Sequence, residues 1–191
     1  MRNIILRDSK KKAVALGELP TGWHEVPLAT FLKYQERPEE LRPTAAVLAL
    51  LTGIPEHILA EDVSLCVPLY KGLGWFMSSL PEGEPVTSFR LAGIEYEHVG
   101  NLSMINAGQF EALADFLREH KADPVQAAPW LLAVLFKPTG QQQTPEVVEA
   151  CATAFLELPM SVAYPVVQDF LRSGASSALK KTSFNYSAIA A

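Results

Sequence analysis

Two adjacent helices are predicted within residues 101–138, and they constrain the fold more than any other part of the chain. In the first, Phe110, Leu113 and Phe116 recur at three- and four-residue spacing, so they share one face, as in a helix that packs on a core. The second, over residues 130–136, has no polar face. Because a helix that is apolar all round is buried on most sides, we expect it at the centre of the domain.

The composition favours one folded domain. The 191 residues are 49% hydrophobic and 19% charged, which excludes a wholly disordered chain and supplies a core that needs no disulfide or metal. No apolar run approaches the ~20 residues that cross a bilayer, and residues 1–12 lack the apolar stretch of a signal peptide. We therefore expect a cytoplasmic protein without a membrane partner.

Charge is spread unevenly along the chain. The net charge is −5, yet residues 1–12 hold five basic side chains against one acid, and residues 172–191 hold three basic side chains and no acid. The basic ends could fold back on the acidic middle, reach a negatively charged partner, or only solubilise two tails. Because the acidic middle repels phosphate, we expect no direct nucleic-acid binding.

The pattern of elements predicts an α+β fold that is mostly helical, with about six helices and one or two small β-hairpins. Residues 1–22 are expected to form an N-terminal hairpin or a flexible arm, and residues 173–191 a flexible basic tail. Between them, residues 23–172 form a helical domain with a hairpin at 86–99, where alternating strands flank Ala92-Gly93. Outside the central pair, helices are predicted over residues 27–36, 38–51, 54–60, 63–80, 144–156 and 161–172.

Two of these helices carry clear local signals. Pro68, Gly72 and Gly74 interrupt the apolar pattern of residues 63–80, so we expect a kinked or broken helix there. Thr144 followed by Pro145 is a strong helix start, with the threonine as the N-cap and the proline at the first helical position.

No pattern typical of catalysis or metal binding is found. The histidines have no His or Cys at ligand spacing, which argues against a zinc site; they are His24, His57, His98 and His120. Glu95 and Glu97 would face one side of a strand and His98 the other, which makes three-point ligation awkward. Cys66 and Cys151 lie singly in apolar helical patterns, so we interpret both as buried packing residues.

The enzyme motifs are also incomplete. The segment at 71–75, KGLGW, lacks the preceding strand, the third glycine and the Lys-Ser/Thr of a phosphate-binding loop. No Gly-x-Ser-x-Gly elbow is present. We therefore predict a protein that is not an enzyme, with no catalytic residues, no cofactor and no metal.

Several short motifs, taken in order, resemble one protein family. They are Thr30-Phe31-Leu32 with Tyr34-Gln35, LLTGIP at 50–55, a hairpin, NAGQF at 106–110, LFKP at 135–138 and YPVVQDFLR at 164–172. The chain is similar over residues 23–172 to small proteins of tailed bacteriophages, encoded among tail and virion genes and described as tail assembly chaperones or virion-associated proteins. Residues 3–16 and the basic tail have no counterpart in this resemblance.

The resemblance implies a helical, non-catalytic protein of the host cytoplasm that binds tape-measure or tail-tube subunits while the tail is built. The alternative is a structural subunit that stays in the virion. A small ligand-binding protein or an enzyme would need a convergent polar cluster. The partners would be phage structural proteins, and a homo-oligomer is left open. The candidate contact residues are exposed apolar side chains and the basic tail: Trp75, Phe76, Met77, Phe110, Leu113, Phe116, Lys180 and Lys181.

Overall fold

A computed structural model of the chain describes residues 1–7, 10–37, 45–78, 80–100 and 126–172. The chain divides into two compact units: residues 1–81 with 159–161, and residues 82–158 with 162–191. Within the described ranges there are eight α-helices and two small antiparallel sheets, of two and three strands. The predicted class, α+β and mostly helical, is confirmed. No helix in these ranges has the length and apolarity that a bilayer span requires.

The first unit begins with a hairpin, so the first of the two alternatives for the N-terminal region is the one observed. Strand β1 (Arg2–Arg7) pairs antiparallel with β2 (Ala13–Leu19), and the register places Ile5 opposite Leu16. In the connection, Lys11 has φ of 63°, and the Arg7 guanidinium donates a hydrogen bond of 3.0 Å to its carbonyl oxygen. That bond helps to close the turn.

Five helices follow in the first unit. They are α1 (Leu28–Gln35), α2 (Ala45–Thr52), α3 (Glu56–Glu61), α4 (Cys66–Gly72) and α5 (Gly74–Ser78), with short 3-10 helices at Trp23–Glu25 and Val63–Leu65. The predicted break within residues 63–80 is confirmed, because α4 ends at Gly72 and α5 begins at Gly74. Pro68 lies in the first turn of α4, where no intrahelical bond needs its missing N–H.

The second unit carries the three-stranded sheet, in the order β3 (Ser88–Leu91), β4 (Ile94–His98) and β5 (Phe136–Pro138). Its helices are α6 (Ala128–Leu135), α7 (Pro145–Ala154) and α8 (Met160–Arg172), although residues 160–161 cluster with the first unit. The hairpin predicted at 86–99 is present with shorter strands. Ala92 and Gly93 both have positive φ, 48° and 83°, as a tight two-residue hairpin turn requires.

The helix predicted over residues 130–136 is buried as expected, but its last residue was assigned wrongly. Leu131, Leu132 and Ala133 are each 0% exposed. Phe136, however, has φ of −128° and ψ of 146° and pairs with His98 as part of β5. The reason is local: Pro138 disfavours a helical backbone at the residue before it, so the helix ends early and the chain continues extended.

The other half of the predicted central pair, with Phe110, Leu113 and Phe116, falls in residues 101–125 and lies outside the described residues. The predicted basic tail at 173–191 lies outside them too. The helix predicted over 38–51 is seen only from Ala45, since residues 38–44 are likewise not described.

The capping signal at Thr144 is confirmed, and it yields a test. The Thr144 hydroxyl accepts a hydrogen bond from the Val147 N–H at 3.4 Å, which satisfies one of the free donors at the start of α7. We expect Thr144→Ala to lower the free energy of unfolding by about 1 kcal/mol, measured by urea denaturation followed by circular dichroism.

The matched control is Thr153→Ala, which makes the same substitution at an exposed position inside the same helix. Its hydroxyl donates to the Glu149 carbonyl, a bond that gives a helix little or nothing. We expect a change below about 0.5 kcal/mol. Equal losses in the two variants would contradict the capping role of Thr144.

Candidate interaction surfaces

Five aromatic side chains form a cluster in the first unit. Trp23 lies at its centre, with ring centroids 5.7 Å from Phe31, 5.2 Å from Trp75 and 4.8 Å from Phe76. Tyr34 joins through Phe76 at 5.0 Å in an edge-to-face arrangement. Such contacts stabilise a core beyond the area they bury, so this cluster is a packing element of the first unit.

This cluster changes the interpretation of one predicted contact residue. Phe76 was expected at the surface, but it is only 6% exposed within the single chain. Trp75 is half-buried and Met77 lies in α5. The remaining candidates, Phe110, Leu113, Phe116, Lys180 and Lys181, lie outside the described residues. A binding role for all of these residues stays a prediction.

The N-terminal hairpin presents an apolar face to solvent that the sequence analysis did not select. Ile5 is 53% exposed, Leu16 72% and Val14 37%, and the first two are direct cross-strand partners. We call these three side chains the outer hairpin face. The opposite side of the strands carries Leu6 and Leu19, which are buried. The sequence signal for this face was that apolar residues occur on both faces of β1 and β2. In a half-buried hairpin, apolar residues on one face alternate with polar residues on the other.

Basic residues lie at the turn end of the outer hairpin face. The exposed side chain of Arg7 lies at the end of β1, and those of Lys10, Lys11 and Lys12 lie at the turn. Arg2 is the cross-strand partner of Leu19 and belongs to the opposite side of the strands. On the same face as Ile5, the strand pairing sets Asn3 opposite Glu18. The face therefore combines apolar area with positive charge at its turn end.

A second exposed apolar site lies where α3 leads into α4. Val63 is 72% exposed and Val67 is 50% exposed, and the carboxylates of Glu61 and Asp62 precede them directly. The Asp62 side chain accepts hydrogen bonds from the Ser64 N–H at 2.9 Å and the Ser64 hydroxyl at 2.5 Å, which fixes it beside Val63. We call Glu61, Asp62, Val63 and Val67 the acidic valine patch.

A cavity of about 380 Å³ opens between the end of β2, the Trp23–Glu25 turn and the end of α2. The Glu25 carboxylate, which lines the cavity, accepts hydrogen bonds from the Thr21 N–H at 2.7 Å and from the Thr21 hydroxyl at 2.9 Å. It also forms an ion pair with the Met1 ammonium. The described lining residues include no Cys, His, Ser or Lys. The cavity thus presents acceptor oxygens and the Met1 ammonium, which is paired with Glu25.

In the second unit, the aromatic side chains of Phe89, Tyr96, Phe136 and Phe155 pack together. Tyr96 stacks on Phe89 at 5.3 Å and meets Phe155 edge-on at 4.9 Å, and Phe136 lies 5.0 Å from Phe89. Tyr96 is 4% exposed, whereas Ile94, two residues earlier on the same strand, is 49% exposed beside the turn. The interior of this unit is therefore centred on the strand pair Phe89–Tyr96.

Glu95, Glu97 and His98 do not converge on a ligand. Glu97 forms an ion pair of 3.0 Å with Lys137, and the His98 ring meets Phe136 edge-on at 5.1 Å. In the part of the chain that the structure describes, no group of three or more His, Cys, Asp and Glu side chains could hold a metal ion.

Both cysteines are buried, as predicted from their apolar surroundings. Burial, aided by the Asp62 carboxylate, raises the pKa of the Cys66 thiol, which donates a hydrogen bond of 3.4 Å to the Leu59 carbonyl. Burial alone raises the pKa of Cys151. Because the thiolate is the reactive form, both side chains act as packing groups.

The close packing of β2 against the end of α2 gives a second test. A Cβ atom at Gly17 would lie 2.5 Å from the Ile54 side chain and 2.8 Å from the Thr52 carbonyl oxygen. We expect Gly17→Ala to lower the free energy of unfolding by about 1–3 kcal/mol, since the strand must move away from the backbone of Thr52. The measurement is urea denaturation followed by tryptophan fluorescence.

The control is Gly74→Ala in the same unit, where a Cβ meets nothing within 4 Å. We expect no loss there, and a gain of up to about 1 kcal/mol from higher helix propensity. If both variants lost stability equally, the close approach at Gly17 would not be the cause.

A third test concerns His98. Burial lowers the pKa of its imidazole, against an opposing effect of Asp169, and its Nδ1 accepts a hydrogen bond of 3.1 Å from the Gly100 N–H. As the pH falls through about 6.5, the unfolded chain therefore takes up a proton before the folded protein does, and the fold loses stability.

We expect His98→Asn, whose Oδ1 can accept the same hydrogen bond, to reduce the loss of melting temperature between about pH 7.5 and pH 5.5. Differential scanning calorimetry of both proteins measures it, with the exposed His57→Asn as the control. An unchanged pH dependence in the His98 variant would contradict the assignment.

Comparisons with known proteins add no relationship to this description. Neither protein-family models, nor curated proteins, nor solved structures give a match to the chain. Its function has to be argued from its own residues and from the motifs described above.

Proposed function

We propose that the protein is a non-catalytic assembly protein of a tailed bacteriophage, acting as a tail assembly chaperone for tape-measure or tail-tube subunits. The observation that carries the proposal is the distribution of exposed apolar side chains. Among the described residues, eight large apolar side chains are exposed, and six of them lie at only two places in the first unit. Those places are the hairpin, with Met1, Ile5, Val14 and Leu16, and the valines of the acidic valine patch.

Exposed apolar groups of this kind bind partners by removing their area from water. Each Å² that is buried contributes about 25 cal/mol before the cost of association is subtracted. Four such side chains at one place and two at the other therefore support weak, reversible contact unless many copies act together. Reversible contact suits a chaperone, which must cover a partner's apolar surface during assembly and then release it.

The motifs behind the resemblance occupy positions that the fold needs. In the LLTGIP segment, α2 ends as the Thr52 hydroxyl donates to the Leu48 carbonyl at 2.6 Å, Gly53 takes a φ of 69°, and Ile54 is 1% exposed. In the LFKP segment, α6 passes into β5. The roles of these motifs are structural, so the resemblance implies a similar fold rather than a shared reaction.

A structural subunit retained in the virion is the second candidate, and the hairpin favours it. In a particle that repeats the same weak contact over many copies, an N-terminal hairpin with an exposed outer face can hold neighbouring subunits permanently. It is also part of the region that has no counterpart in the phage resemblance. The two roles differ in whether the protein remains in the finished particle.

The test is co-expression of the protein with the tape-measure and tail-tube subunits of the same phage, each produced separately. A chaperone should raise the soluble fraction of one subunit and co-purify with it, while a coat or head subunit of the same phage, used as the control, should be unaffected. No change in solubility and no co-purification would contradict the chaperone role. Mass spectrometry of purified particles then separates the two candidates, because only a retained subunit is present in stoichiometric amount.

A further inference from the structure

We propose that the protein self-associates head to tail, with the outer hairpin face of one copy docked on the acidic valine patch of a second copy. This inference does not rest on the proposed function, because it concerns the purified chain alone. Both surfaces belong to the first unit. Since each is exposed in the same molecule, they do not cover one another within a chain, and a contact between them has to be made between copies.

The two surfaces match in apolar character. Ile5 and Leu16 form a direct cross-strand pair on one, and Val63 and Val67, four residues apart, form the other. All four side chains are at least half exposed. Each surface is therefore a small group of aliphatic side chains that loses contact with water when it is covered.

Charge selects the pairing between the two surfaces. The turn end of the outer hairpin face is basic, through Arg7 and the three lysines of the turn, while Glu61 and Asp62 border the valines. Lys71, one turn beyond Val67, is the one basic side chain of α4. Docking hairpin to valine patch brings opposite charges together, whereas docking hairpin to hairpin, or patch to patch, would bring like charges together.

The edges of the hairpin favour docking through its face. In the described part of the chain β1 and β2 form a two-stranded sheet, so pairing of an outer edge with another copy is the competing arrangement. That arrangement would place the basic side chains of two hairpins side by side. Charged residues on an edge strand are a known obstacle to edge-to-edge pairing.

A contact between two different surfaces has a consequence that a two-fold contact lacks. Each dimer still carries one free hairpin and one free valine patch, so further copies can add until a ring closes or a filament grows. Because the attraction is partly electrostatic, the association should weaken as salt rises.

The experiment is sedimentation velocity of the purified full chain over a range of protein and salt concentrations. We expect the average mass to rise with protein concentration beyond that of a dimer and to fall with added salt. A protein that stays monomeric at all concentrations in low salt would overturn the proposal, and so would association that salt strengthens.

Two double variants separate the surfaces. Ile5→Thr with Leu16→Thr keeps β-branched residues in the strands, and Val63→Gln with Val67→Gln keeps the charges of the patch. We expect each to weaken association by about tenfold or more. Ile94→Thr, at an exposed strand position of the second unit, is the matched control and should associate like the unmodified chain. Circular dichroism establishes that each variant is folded.

The decisive measurement mixes the two double variants. Each retains one intact surface, so the mixture should form a heterodimer that cannot grow further. Loss of association in the hairpin variant alone, with the valine variant behaving normally, would show contact between hairpins and overturn the proposal. Should a variant fail the folding check, the salt series and the other variant still decide the question, because they do not depend on it.

Discussion

The change from helix to strand at Phe136 is the constraint on which the second unit depends. The chain leaves α6 at Leu135, and within three residues it pairs with β4 and reaches Pro138. The Val99 N–H donates to the Leu135 carbonyl at 2.9 Å, and the Thr139 N–H donates to the Glu95 carbonyl at 2.9 Å. The sheet is therefore bonded to both ends of this short segment. Phe136 itself is fully buried and joins the ring of His98 to that of Phe89.

The first unit depends on a different constraint, the close approach of β2 to the end of α2. Gly17 has no side chain, and this allows its backbone to lie against Ile54 and the Thr52 carbonyl. The inner side of the hairpin packs against the end of α2. Because successive side chains of a strand point to opposite faces, Ile5, Val14 and Leu16 lie on the outer side. The same geometry that buries Leu6 and Leu19 thus exposes the face that we assign to self-association.

Local signals were enough to predict much of this fold. Thr144-Pro145, the glycines at 72 and 74 and the turn at Ala92-Gly93 each fix the backbone through a few neighbouring residues, and each was placed correctly. Phe136 was misplaced because an apolar residue suits a buried helix and a buried strand equally well, so periodicity cannot separate the two in a short run. Pro138, two residues beyond Phe136, is the local signal that ends the helix.

The candidate surfaces were harder to predict, since exposure is a tertiary property. The burial of Phe76 results from its packing on Trp23 and Tyr34, which are distant from it in the sequence. Conversely, the sequence around Ile5 and Leu16 predicts strands but does not predict that these two side chains are exposed. Their exposure depends on which face of the hairpin packs against Ile54. The local sequence does not determine which face that is.

Residues 159–161 determine when the first unit can be completed during synthesis. They cluster with residues 1–81, the Met160 N–H donates to the Val26 carbonyl at 2.9 Å, and Pro27 bridges to Pro159. The ribosome therefore makes most of the second unit before the first unit receives its last backbone partner. Contacts across such a sequence separation form slowly, because a long loop must close first. Until then Val26 and Pro27, just before α1, lack these backbone partners. The nascent chain therefore completes its two units nearly together rather than one after the other.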